Sequence, residues 1–499
     1  MAKTSTTKFP PIVAARDRSR STVYAAHRRG DLRQLAPGLF TSDLETPLEQ
    51  VVRDRLPAIT SALFPGAIIS DRSARTGGRP SEDGSLFIVH ERTAPTNLPG
   101  DVVIRPRRGS GPLEGDMPFA DNLWFSSEPR TLLENAVLTR SRGDRVARTL
   151  TRPELEDWID SLITQRGIEG INNLRDRARA LAPQLQLEEE FTLIDAVIGA
   201  ALGTRQTRSH SQRLSARARG QAYDPQRFEL FEQLKRSLEE HAPIIRPVTD
   251  PGAPRYRFLP FFEAYFSNYI EGTRFSVDEA IEIALYERIP ANRPADAHDV
   301  LGTYRIVSDT REMTRTANTF DEYLELLRRR HAVILEGRPE KRPGEFKEQR
   351  NEAGGPLFVE PSLVSGTLRQ GFELSRTLTS AFARAVFQMF VVSEVHPFDD
   401  GNGRIARIMM NAELDAVGEH RIIIPSVYRN NYMMGLRGMS TNGHAEGLTA
   451  SLDFAQRYTA AIDYSELDIA RQQLAETNAF RDSDEEAAGA IRLALPRAG

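Results

Sequence analysis

A twelve-residue segment, 396–407, combines residue types that suit phosphate chemistry: His-Pro-Phe-Asp-Asp-Gly-Asn-Gly-Arg-Ile-Ala-Arg. His396 titrates near neutral pH, so it can accept a proton from a hydroxyl group. Asp400 offers the hard oxygen ligand that Mg²⁺ accepts beside nucleotide phosphates. Gly401 and Gly403 permit positive φ, with an asparagine that tolerates the left-handed region between them, so backbone N–H groups can approach an anion. The segment therefore predicts a phosphate-binding nest with a base beside it.

The residues after the nest predict a helix that begins there. Apolar residues recur at helical spacing, and Gly418 follows at the position expected of a C-cap; these residues are Ile405, Ile408, Met409, Ala412 and Ala416. At about 100° per residue, Arg404, Arg407 and Asn411 share one narrow face, and the positive end of the helix dipole points at the nest. A phosphate bound there would meet N–H groups, the dipole and two guanidinium groups together.

The segment resembles the signature of the Fic family (filamentation induced by cAMP), His-Pro-Phe-x-(Asp/Glu)-Gly-Asn-Gly-Arg-x-x-Arg, at every fixed position. Most intact Fic proteins are α-helical enzymes that transfer AMP from ATP to a protein hydroxyl. The resemblance implies that His396 is the base for a target Tyr, Ser or Thr and that Asp400 holds Mg²⁺ on the α- and β-phosphates. It also implies a set of phosphate-binding residues: Gly401, Asn402, Gly403, Arg404 and Arg407.

The similarity extends upstream of the signature. Residues 342–351 are similar to the stretch that precedes the Fic flap, although Lys347 replaces the usual arginine and Arg350 the usual glutamine. Residues 357–362 would then form a short hairpin to which a target peptide adds as a strand; a loop between two helices is the alternative. Residues 378–395 read as a long buried helix that leads to His396.

A second motif bears on regulation. The segment Ser267-Asn268-Tyr269-Ile270-Glu271-Gly272 matches the (Ser/Thr)-x-x-x-Glu-(Gly/Asn) inhibitory motif of many Fic proteins. An apolar helical face precedes Gly272, so Glu271 lies at the end of a helix, where its charge opposes the dipole and requires a cationic partner. The resemblance implies that this partner is Arg407, which would then be withheld from the γ-phosphate. In some family members the glutamate also positions water to remove AMP, so the reverse reaction is an alternative.

The segment after the signature helix offers two further candidates. Residues 422–425 and 428–432 resemble the family segment that closes over the nucleotide. Tyr432 can stack near adenine or ribose and Asn411 can hydrogen-bond there, or both can be structural. The resemblance covers residues 255–465, about two fifths of the chain.

Composition limits what the remaining residues can be. A chain of 499 residues, 40% hydrophobic and 27% charged, predicts a globular protein of two or three domains. Its net charge of −4 does not indicate overall polyanion binding, and zero cysteines exclude disulfides, thiolate catalysis and cysteine zinc sites. No apolar run of 18 residues and no signal-peptide core occur, which predicts no membrane partner and a cytoplasmic location.

The N-terminal region is locally basic. Residues 1–60 contain ten Lys/Arg and six Asp/Glu. Residues 21–30 read as a short helix with a serine N-cap, and residues 32–41 as a strand, a Pro-Gly turn and a strand. This layout is that of a winged helix-turn-helix, and it resembles the N-terminal domain of abortive-infection-type antitoxins. The implied DNA contacts are Arg18, Arg20, Arg28, Arg29 and Arg33; protein binding or a solvated surface is the alternative.

These assignments predict a mainly α protein: an all-helical Fic core with a short β-hairpin flap, preceded by a winged helix-turn-helix and a mixed α/β middle region. The boundaries are a winged domain at 1–75, an antitoxin-like middle region and linker at 76–250, a Fic domain at 251–465 with an inhibitory helix at about 259–272, and a fraying tail at 466–499. Within the middle region, 85–89 is strand-like and 129–202 mostly helical. The basic stretch 205–219 reads foremost as a linker, with a nucleic-acid contact or a structural arm as alternatives.

Two functions from different classes follow. The first is a protein adenylyltransferase that uses ATP and Mg²⁺, acts on a protein hydroxyl and is inhibited by Glu271. The second is a DNA-binding, antitoxin-like transcriptional regulator in which the Fic fold senses nucleotide. The intact His396 and Asp400 favour the enzyme, since a sensor needs neither. A homodimer is one option for the assembly.

Overall fold

The computed structural model describes residues 9–120, 122–141, 143, 145–242, 244–250, 253–351, 357–484 and 491–496. The chain divides into two units, Met1–Arg219 and Gly220–Gly499. The sequence places the start of the Fic region near residue 250, after a cluster of turn-forming residues. In the structure, residues 220–250 belong to the second unit, because the helix they contain packs into its core.

The first unit begins with a small three-stranded sheet and one helix. Its elements are β1 (Ile12–Ala14), α1 (Arg20–Arg29), β2 (Arg33–Ala36) and β3 (Leu39–Thr41). The strands are antiparallel in the order β1-β3-β2. Gly30 ends α1 in the left-handed region with φ 83°, and Gly38, with φ 78°, makes the hairpin turn. The predicted helix and hairpin are confirmed, although α1 starts at Arg20 and its N-cap is Ser19.

The helix pair of a helix-turn-helix is absent from described residues 9–47. Residues before α1 form β1 instead, because Pro10 and Pro11 disfavour a helix there and the β-branched Ile12 and Val13 suit a strand. The winged helix-turn-helix assignment for residues 1–75 is therefore not confirmed and stays a prediction: the helix and its hairpin are present, and a second helix follows them at Leu48–Leu63.

The middle of the first unit is a mixed sheet flanked by helices. In chain order it contains α2 (Leu48–Leu63), β4 (Ile68–Ile69), α3 (Asp71–Arg75), β5 (Ser85–Val89), β6 (Thr96–Asn97), β7 (Val103–Arg107), β8 (Met117–Phe119), β9 (Leu123–Phe125) and α4 (Glu128–Ala136). The strand order is β6-β7-β5-β4-β9-β8, and β5 runs parallel to β7. The predicted strand at 85–89 is confirmed, and all five of its residues are buried.

Three helices complete this unit: α5 (Arg152–Leu185), α6 (Glu188–Ala201) and α7 (Gln212–Ala218). The predicted helical character of residues 129–202 is confirmed. The linker interpretation of 205–219 is wrong, because Arg213 of α7 lies 2.9 Å from the buried carboxylate of Asp160 on α5, and Arg217 bonds to the same carboxylate. These arginines form a structural arm.

The second unit is helical, with isolated bridges as the only β-structure among its described residues. Its helices are α8 (Pro225–Glu240), α9 (Leu259–Ile270), α10 (Val277–Tyr286), α11 (Pro294–Ser308), α12 (Thr310–Met313), α13 (Phe320–Ile334), α14 (Val364–Ser375), α15 (Ala381–Val395), α16 (Asn402–Asp415), α17 (Arg429–Asn442), α18 (Glu446–Ala461) and α19 (Leu467–Glu476). The predicted buried helix before His396 is α15. Its N-cap is Ser380, whose hydroxyl accepts a bond from the Ala383 N–H at 3.3 Å.

Two clusters of apolar side chains form the interior of this unit. The larger one surrounds α15 and α16 and includes Phe231, Leu234 and Leu238 of α8. The second lies between α9, α10, α11 and α19. Among the described residues after Glu466, those of α19 do not fray as the sequence suggests, because Ala470 and Leu474 place an apolar stripe of this helix inside the second cluster.

The predicted flap hairpin is reproduced only in part. Residues 352–356 lie outside the described ranges. The ends of the loop are joined, since the Phe358 N–H donates to the Asn351 carbonyl at 3.3 Å. Beyond that point the chain does not continue as a strand: Pro361–Leu363 is a 3₁₀ helix, which Pro361 begins.

No helix in the described ranges has the length and apolarity that a membrane span requires.

Candidate active site

His396 lies immediately after α15, in the left-handed region with φ 51°. Its Nδ1 is 3.3 Å from the Ser393 carbonyl oxygen. Because a carbonyl oxygen only accepts, Nδ1 carries the hydrogen and Nε2 keeps its lone pair. Burial, reinforced by Phe358 stacked at a 3.8 Å ring distance, lowers the pKa of His396 to about 4. The side chain is therefore a neutral imidazole at pH 7, with one nitrogen able to take a proton.

The loop after His396 is held together by Asn402. The side-chain amide of Asn402 donates to the Phe398 carbonyl at 2.9 Å, and its oxygen accepts the Phe398 N–H at 2.9 Å. Gly401 is left-handed with φ 74°, as predicted, but Asn402 and Gly403 are the first residues of α16 and are helical. Of the residues that could adopt positive φ here, only Gly401 does so, and the side chain of Asn402 closes the loop by its two bonds to Phe398.

The phosphate-binding nest lies at the start of α16. In the first turn of a helix the N–H groups have no intrahelical carbonyl to bond, which makes the turn an anion site. The first intrahelical bond of α16 runs from the Ile405 N–H to the Gly401 carbonyl at 3.0 Å. Asp400 lies just before it, with its Oδ1 accepting the Gly401 N–H at 2.6 Å.

His331 supports the backbone of Asp400. Its Nδ1 accepts the Gly344 N–H at 2.9 Å, so the hydrogen is on Nε2, which donates to the Asp400 carbonyl at 2.9 Å. The ring stacks on Phe398 at 3.6 Å, and burial lowers its pKa to about 4. The sequence did not indicate this residue, because a histidine near the end of α13 carries no motif.

The segment before the flap holds the chain on both sides of His396. The backbone N–H of Lys347 donates to the Pro397 carbonyl at 2.9 Å, and its ammonium donates to the Val395 carbonyl at 3.3 Å. The same ammonium bonds to Asn351 Oδ1 at 2.8 Å, and burial lowers its pKa to about 8. Lys347, which departs from the family's arginine, therefore positions the histidine's backbone.

The two arginines of the signature have different surroundings. Arg404 is buried, and its Nη1 is 2.8 Å from Oδ2 of Asp299 on α11; its Nη2 is 3.7 Å from Asp400 Oδ1. Arg407 faces the cleft and contacts α9: its Nε donates to the Ser267 hydroxyl at 3.0 Å, and its Nη2 donates to the Ser267 carbonyl at 2.8 Å. Only Arg407 of the pair therefore lines the cleft in this conformation.

Glu271 occupies the anion site at the start of α16. Its Oε1 is 2.8 Å from Arg407 Nη2. A Cβ built on Gly403 would come within 2.1 Å of the same oxygen, so the lack of a side chain at Gly403 is what admits the carboxylate. Glu271 is the C-cap of α9, where its charge is disfavoured, but here it gains a guanidinium and the positive end of a second helix.

A cleft of about 580 Å³ joins these groups. One side of α17 lines it from Tyr432 to Ser440, about 12 Å along the helix. Near Ser440, the buried Glu394 accepts the Ser440 hydroxyl at 2.6 Å and lies 3.0 Å from Arg227 of α8. The sequence did not indicate Arg227, Glu394 or Ser440 as cleft residues, because no motif marks them.

Asn411 does not line this cleft. Its amide nitrogen donates to Glu263 at 2.8 Å and to the Ile422 carbonyl at 3.0 Å, and its oxygen accepts the Ile422 N–H at 2.8 Å. The side chain is fully buried, so the structural alternative accounts for all of its bonds. Tyr432 has a buried ring but does line the cleft.

Comparison with known proteins agrees with this geometry. The profile of the Fic/DOC family matches residues 320–414, which contain the whole signature. Residues 320–414 form a Fic/DOC domain. They run from the start of α13 to the last turn of α16, so the domain holds His331, Asp400 and the two arginines.

Relatives extend the similarity beyond residues 320–414. "Protein adenylyltransferase Fic" of Culex quinquefasciatus is 27% identical over 241 residues, covering 45% of this chain and 46% of that protein. The Drosophila melanogaster protein of the same name is 33% identical over 123 residues, 23% of each chain. This chain therefore matches about half or less of these relatives' length. A Fic domain containing signalling protein of Bacteroides thetaiotaomicron superposes with a TM-score of 0.35 and 18% identity, over 47% of this chain and 95% of that one.

Several cleft residues come from outside the Fic domain: Arg227, Glu271, Tyr432, Met433, Leu436, Arg437, Ser440 and Thr441. Ser267, which holds Arg407, lies outside it as well. Among the described residues, no group of three or more His, Cys, Asp or Glu side chains is arranged to hold a metal. Asp400, whose side chain is 43% exposed and whose Oδ1 accepts the Gly401 N–H, suits an ion that keeps several waters and binds phosphate oxygens.

The N-terminal arginines differ in their availability. Arg20 and Arg28 are exposed on α1, and Arg18 is exposed with its guanidinium 5.5 Å from the Phe9 ring centre. Arg29 forms an exposed ion pair with Asp31 at 2.8 Å. Arg33 is occupied, since its Nε donates to the Asp43 carbonyl at 2.8 Å and its Nη2 to the Thr46 carbonyl. Its role in the structure is to cap a loop.

Proposed function

We propose that this protein is an adenylyltransferase that moves AMP from ATP to a protein hydroxyl of Tyr, Ser or Thr, and that Glu271 holds it inactive. Three observations support the proposal. First, a neutral imidazole, a helix N-terminus and a guanidinium group line one cleft. Second, the Fic domain is intact, and the third observation is the similarity to named relatives. Relatives named protein adenylyltransferase Fic share about half of their length with this chain.

The chemistry follows from what each group can do. Nε2 of His396 accepts the proton of the target hydroxyl, whose oxygen forms a bond to the α-phosphorus of ATP. The bond between that phosphorus and the bridging oxygen breaks, and pyrophosphate leaves. The hydrogen bond from Nδ1 to the Ser393 carbonyl keeps the imidazole in the tautomer that can act as the base. Most of the catalysis then depends on positioning and charge neutralisation.

The phosphate groups of ATP would bind at the start of α16. The N–H groups of its first turn and the guanidinium of Arg407 face this position, and Gly403 leaves room for an anion. Arg404 would add positive charge beneath the nest. Asp400 would hold Mg²⁺, which when bound neutralises phosphate charge.

The single observation that carries the inhibition is the 2.8 Å contact between Glu271 and Arg407. The carboxylate lies where a phosphate would meet both Arg407 and the helix N-terminus, so the two anions compete for one site. ATP that binds while Glu271 remains in place loses these contacts, and its α-phosphorus is poorly oriented for attack.

Self-labelling with ATP radioactive at the α-phosphate tests the proposal. We compare wild type, Glu271→Gly, and Glu271→Gly combined with His396→Ala, each with Mg²⁺. Labelling should rise on the first change and vanish on the second. Tight nucleotide binding by all three folded proteins, without label on the protein or on added candidate targets, would instead favour a nucleotide sensor.

Removal of AMP is a second activity of the same site. Glu271 lies close enough to Gly403 and the nest to orient a water molecule for attack on the phosphorus of protein-bound AMP. Labelled protein from the Glu271→Gly variant, mixed with catalytic amounts of unlabelled wild type, should lose AMP if this activity operates. Retention of the label over the same period would restrict the wild type to transfer.

A second candidate function, DNA binding, is supported by the exposed cations of α1. Arg20 and Arg28 lie on a short helix that precedes a hairpin, a layout that suits a nucleic-acid backbone. Binding of the full chain to its own promoter DNA should weaken with added salt and weaken further on Arg20→Ala/Arg28→Ala. Arg33→Ala is not a suitable probe, because its guanidinium holds a loop. Unchanged binding by the Arg20/Arg28 double variant would remove α1 from the interface.

A further inference from the structure

The C-terminal chain covers the face of α9 that points away from the cleft. The ring of Phe480 stacks on Phe266 of α9, with 5.5 Å between centres and 23° between planes. It also lies 5.8 Å from Tyr265 and 6.3 Å from Phe262. The helix that carries Glu271 is therefore held between the Fic domain on one side and the end of the chain on the other.

Asp482 holds the turn that contains Glu271. Its Oδ2 accepts the hydroxyl of Tyr269 at 3.2 Å and lies 2.9 Å from Nη1 of Arg274. The guanidinium of Arg274 in turn lies 4.9 Å from the Tyr269 ring centre. Tyr269 precedes Glu271 by two residues and Arg274 follows it by three, so one carboxylate fixes the turn on both sides.

The segment that carries these groups is itself anchored. The side-chain amide of Asn430 on α17 donates to the Ser483 carbonyl at 3.0 Å. The Ala479 N–H bonds to the Leu474 carbonyl of α19 at 2.8 Å, and Ala479 is fully buried. Residues 477–484, here called the C-terminal strap, are thus joined to the unit before and after the contacts with α9.

The position of the Glu271 carboxylate depends on this turn. Glu271 is the C-cap of α9, and the turn that contains it is closed by the N–H groups of Glu271 and Thr273, which each donate to the Asn268 carbonyl at 3.1 Å. Such a turn at a helix end opens more readily than one in the helix interior. On the cleft side, Arg429 donates to the Ile270 carbonyl at 3.0 Å. The strap supplies the contacts on the opposite side, so its release would let the turn open while the catalytic groups of the cleft stay in place.

We propose that Phe480 and Asp482 are positioning residues that keep Glu271 on Arg407, and that release of the strap activates AMP transfer. This inference rests on the proposed function, because it assigns regulation to the same site. The strap lies outside the residues that match the Fic/DOC family. An event that displaces it, such as binding of a partner to the C-terminal segment, would act through Glu271 rather than on the catalytic groups.

The test measures self-labelling of full-length Asp482→Ala and Arg274→Ala, which remove the same ion pair from opposite sides. Each should raise labelling on the order of fivefold, because the pair is partly exposed and its loss shifts a local equilibrium by a modest factor. The double variant should add little to either single variant. Arg471→Ala is the matched control: it removes a 2.7 Å ion pair between α19 and Asp278, away from α9, and should leave labelling unchanged.

Two further measurements distinguish an effect that acts through the position of Glu271 from a general destabilisation of the protein. In a Glu271→Gly background, Asp482→Ala should have no effect, and an equal increase in both backgrounds would overturn the proposal. Amide hydrogen exchange in peptides covering residues 265–274 should be faster in Asp482→Ala than in wild type or Arg471→Ala. Unchanged exchange there would also overturn it. Hydrogen exchange does not depend on enzymatic activity. It therefore tests the contact between the strap and α9 even if the Glu271→Gly protein fails to label and the proposed function is wrong.

Discussion

The imidazole of His396 is useful as a base because its surroundings keep it neutral. An exposed histidine has a pKa of about 6.5 and loses its base form in mild acid. Here burial lowers the pKa to about 4, and the Ser393 carbonyl selects the tautomer. The residue type was evident from the sequence, but its protonation state depends on Phe358 and the other groups that cover it.

The pH dependence of transfer follows from this environment. In the Glu271→Gly variant, kcat/KM should stay nearly constant from pH 7.5 down to about 5.5, because His396 with a pKa of about 4 remains deprotonated across that range. Phe358→Leu removes the ring that covers the imidazole and should move the acidic limb toward pH 6.5. A limb centred near pH 6.5 in the Glu271→Gly protein itself would contradict the assignment.

The lowered pKa of His331 makes the free energy of unfolding depend on pH. Burial lowers its pKa to about 4 from 6.5, so the unfolded chain binds this proton more readily than the folded one. Its contribution to the free energy of unfolding is therefore complete above pH 6.5 and is lost as the pH falls toward 4. Urea unfolding at pH 7 and pH 5 should show a smaller loss for His331→Gln than for wild type. His444→Gln, at an exposed histidine, serves as control and should follow wild type.

At the scale of elements, α16 is placed by a buried ion-pair network with α11. Asp299 is 1% exposed and contacts two arginines, Arg404 at 2.8 Å and Arg338 at 2.9 Å. Such a network fixes the orientation of Arg404 beneath the nest, because a buried guanidinium without its carboxylate is strongly disfavoured. The Asp299 side chain is thus the connection through which α11 sets the start of α16.

Substitution of Asp299 should therefore be costly. Asp299→Ala leaves the buried Arg404 with the longer, 3.7 Å contact to Asp400 in place of the 2.8 Å ion pair, and the free energy of unfolding should fall by about 3 kcal/mol. Asp296→Ala is the matched control, since Asp296 also pairs with Arg338 but is 31% exposed, and should cost about 1 kcal/mol or less. Denaturant titration measures both. Equal, small losses would show that Arg404 has an alternative partner.

At the scale of the whole molecule, the division of the chain at residue 219 separates two sets of apolar clusters. The second unit contains the complete cleft, from Arg227 on α8 to Ser440 on α17. It also contains α9 and the C-terminal strap. The proposed transfer and its inhibition therefore need no residue from the first unit.

Two fragments test this division. Residues 220–499 should fold cooperatively and, with Glu271→Gly, label to a similar extent as the full-length variant. Residues 251–499 lack α8, so the hydrophobic surface that covers Phe387 and Phe390 is lost together with Arg227. That fragment should unfold at lower temperature and aggregate. Equal thermal stability of the two fragments, measured by calorimetry, would contradict the boundary.

Local patterns predicted much of this architecture. The periodicity of α9, α15 and α16, the strand at 85–89 and the helix and hairpin near the N-terminus depend on neighbouring residues, so the sequence revealed them. The helix-turn-helix stays a prediction, and the fraying tail was wrong for α19, because it assumed that no other part of the chain would cover this short segment. Contacts between distant residues determine which parts of the chain cover a short segment. Ala470 and Leu474 of the tail are an example, because they pack into the second apolar cluster.

The sequence by itself determined the chemistry available to this protein: a base, a nest and two guanidinium groups at fixed spacings, and a glutamate at the end of another helix. For the first three the spacing is enough, because they lie on one loop and the first turns of α16, whereas the glutamate was indicated by a separate motif on α9. Only the tertiary structure decided which arginine faces the cleft, that Asn402 and Asn411 are bonded within the fold, and that His331 and Lys347 hold the loop. These roles arise from burial and from hydrogen bonds between residues far apart in the chain, which no local pattern records.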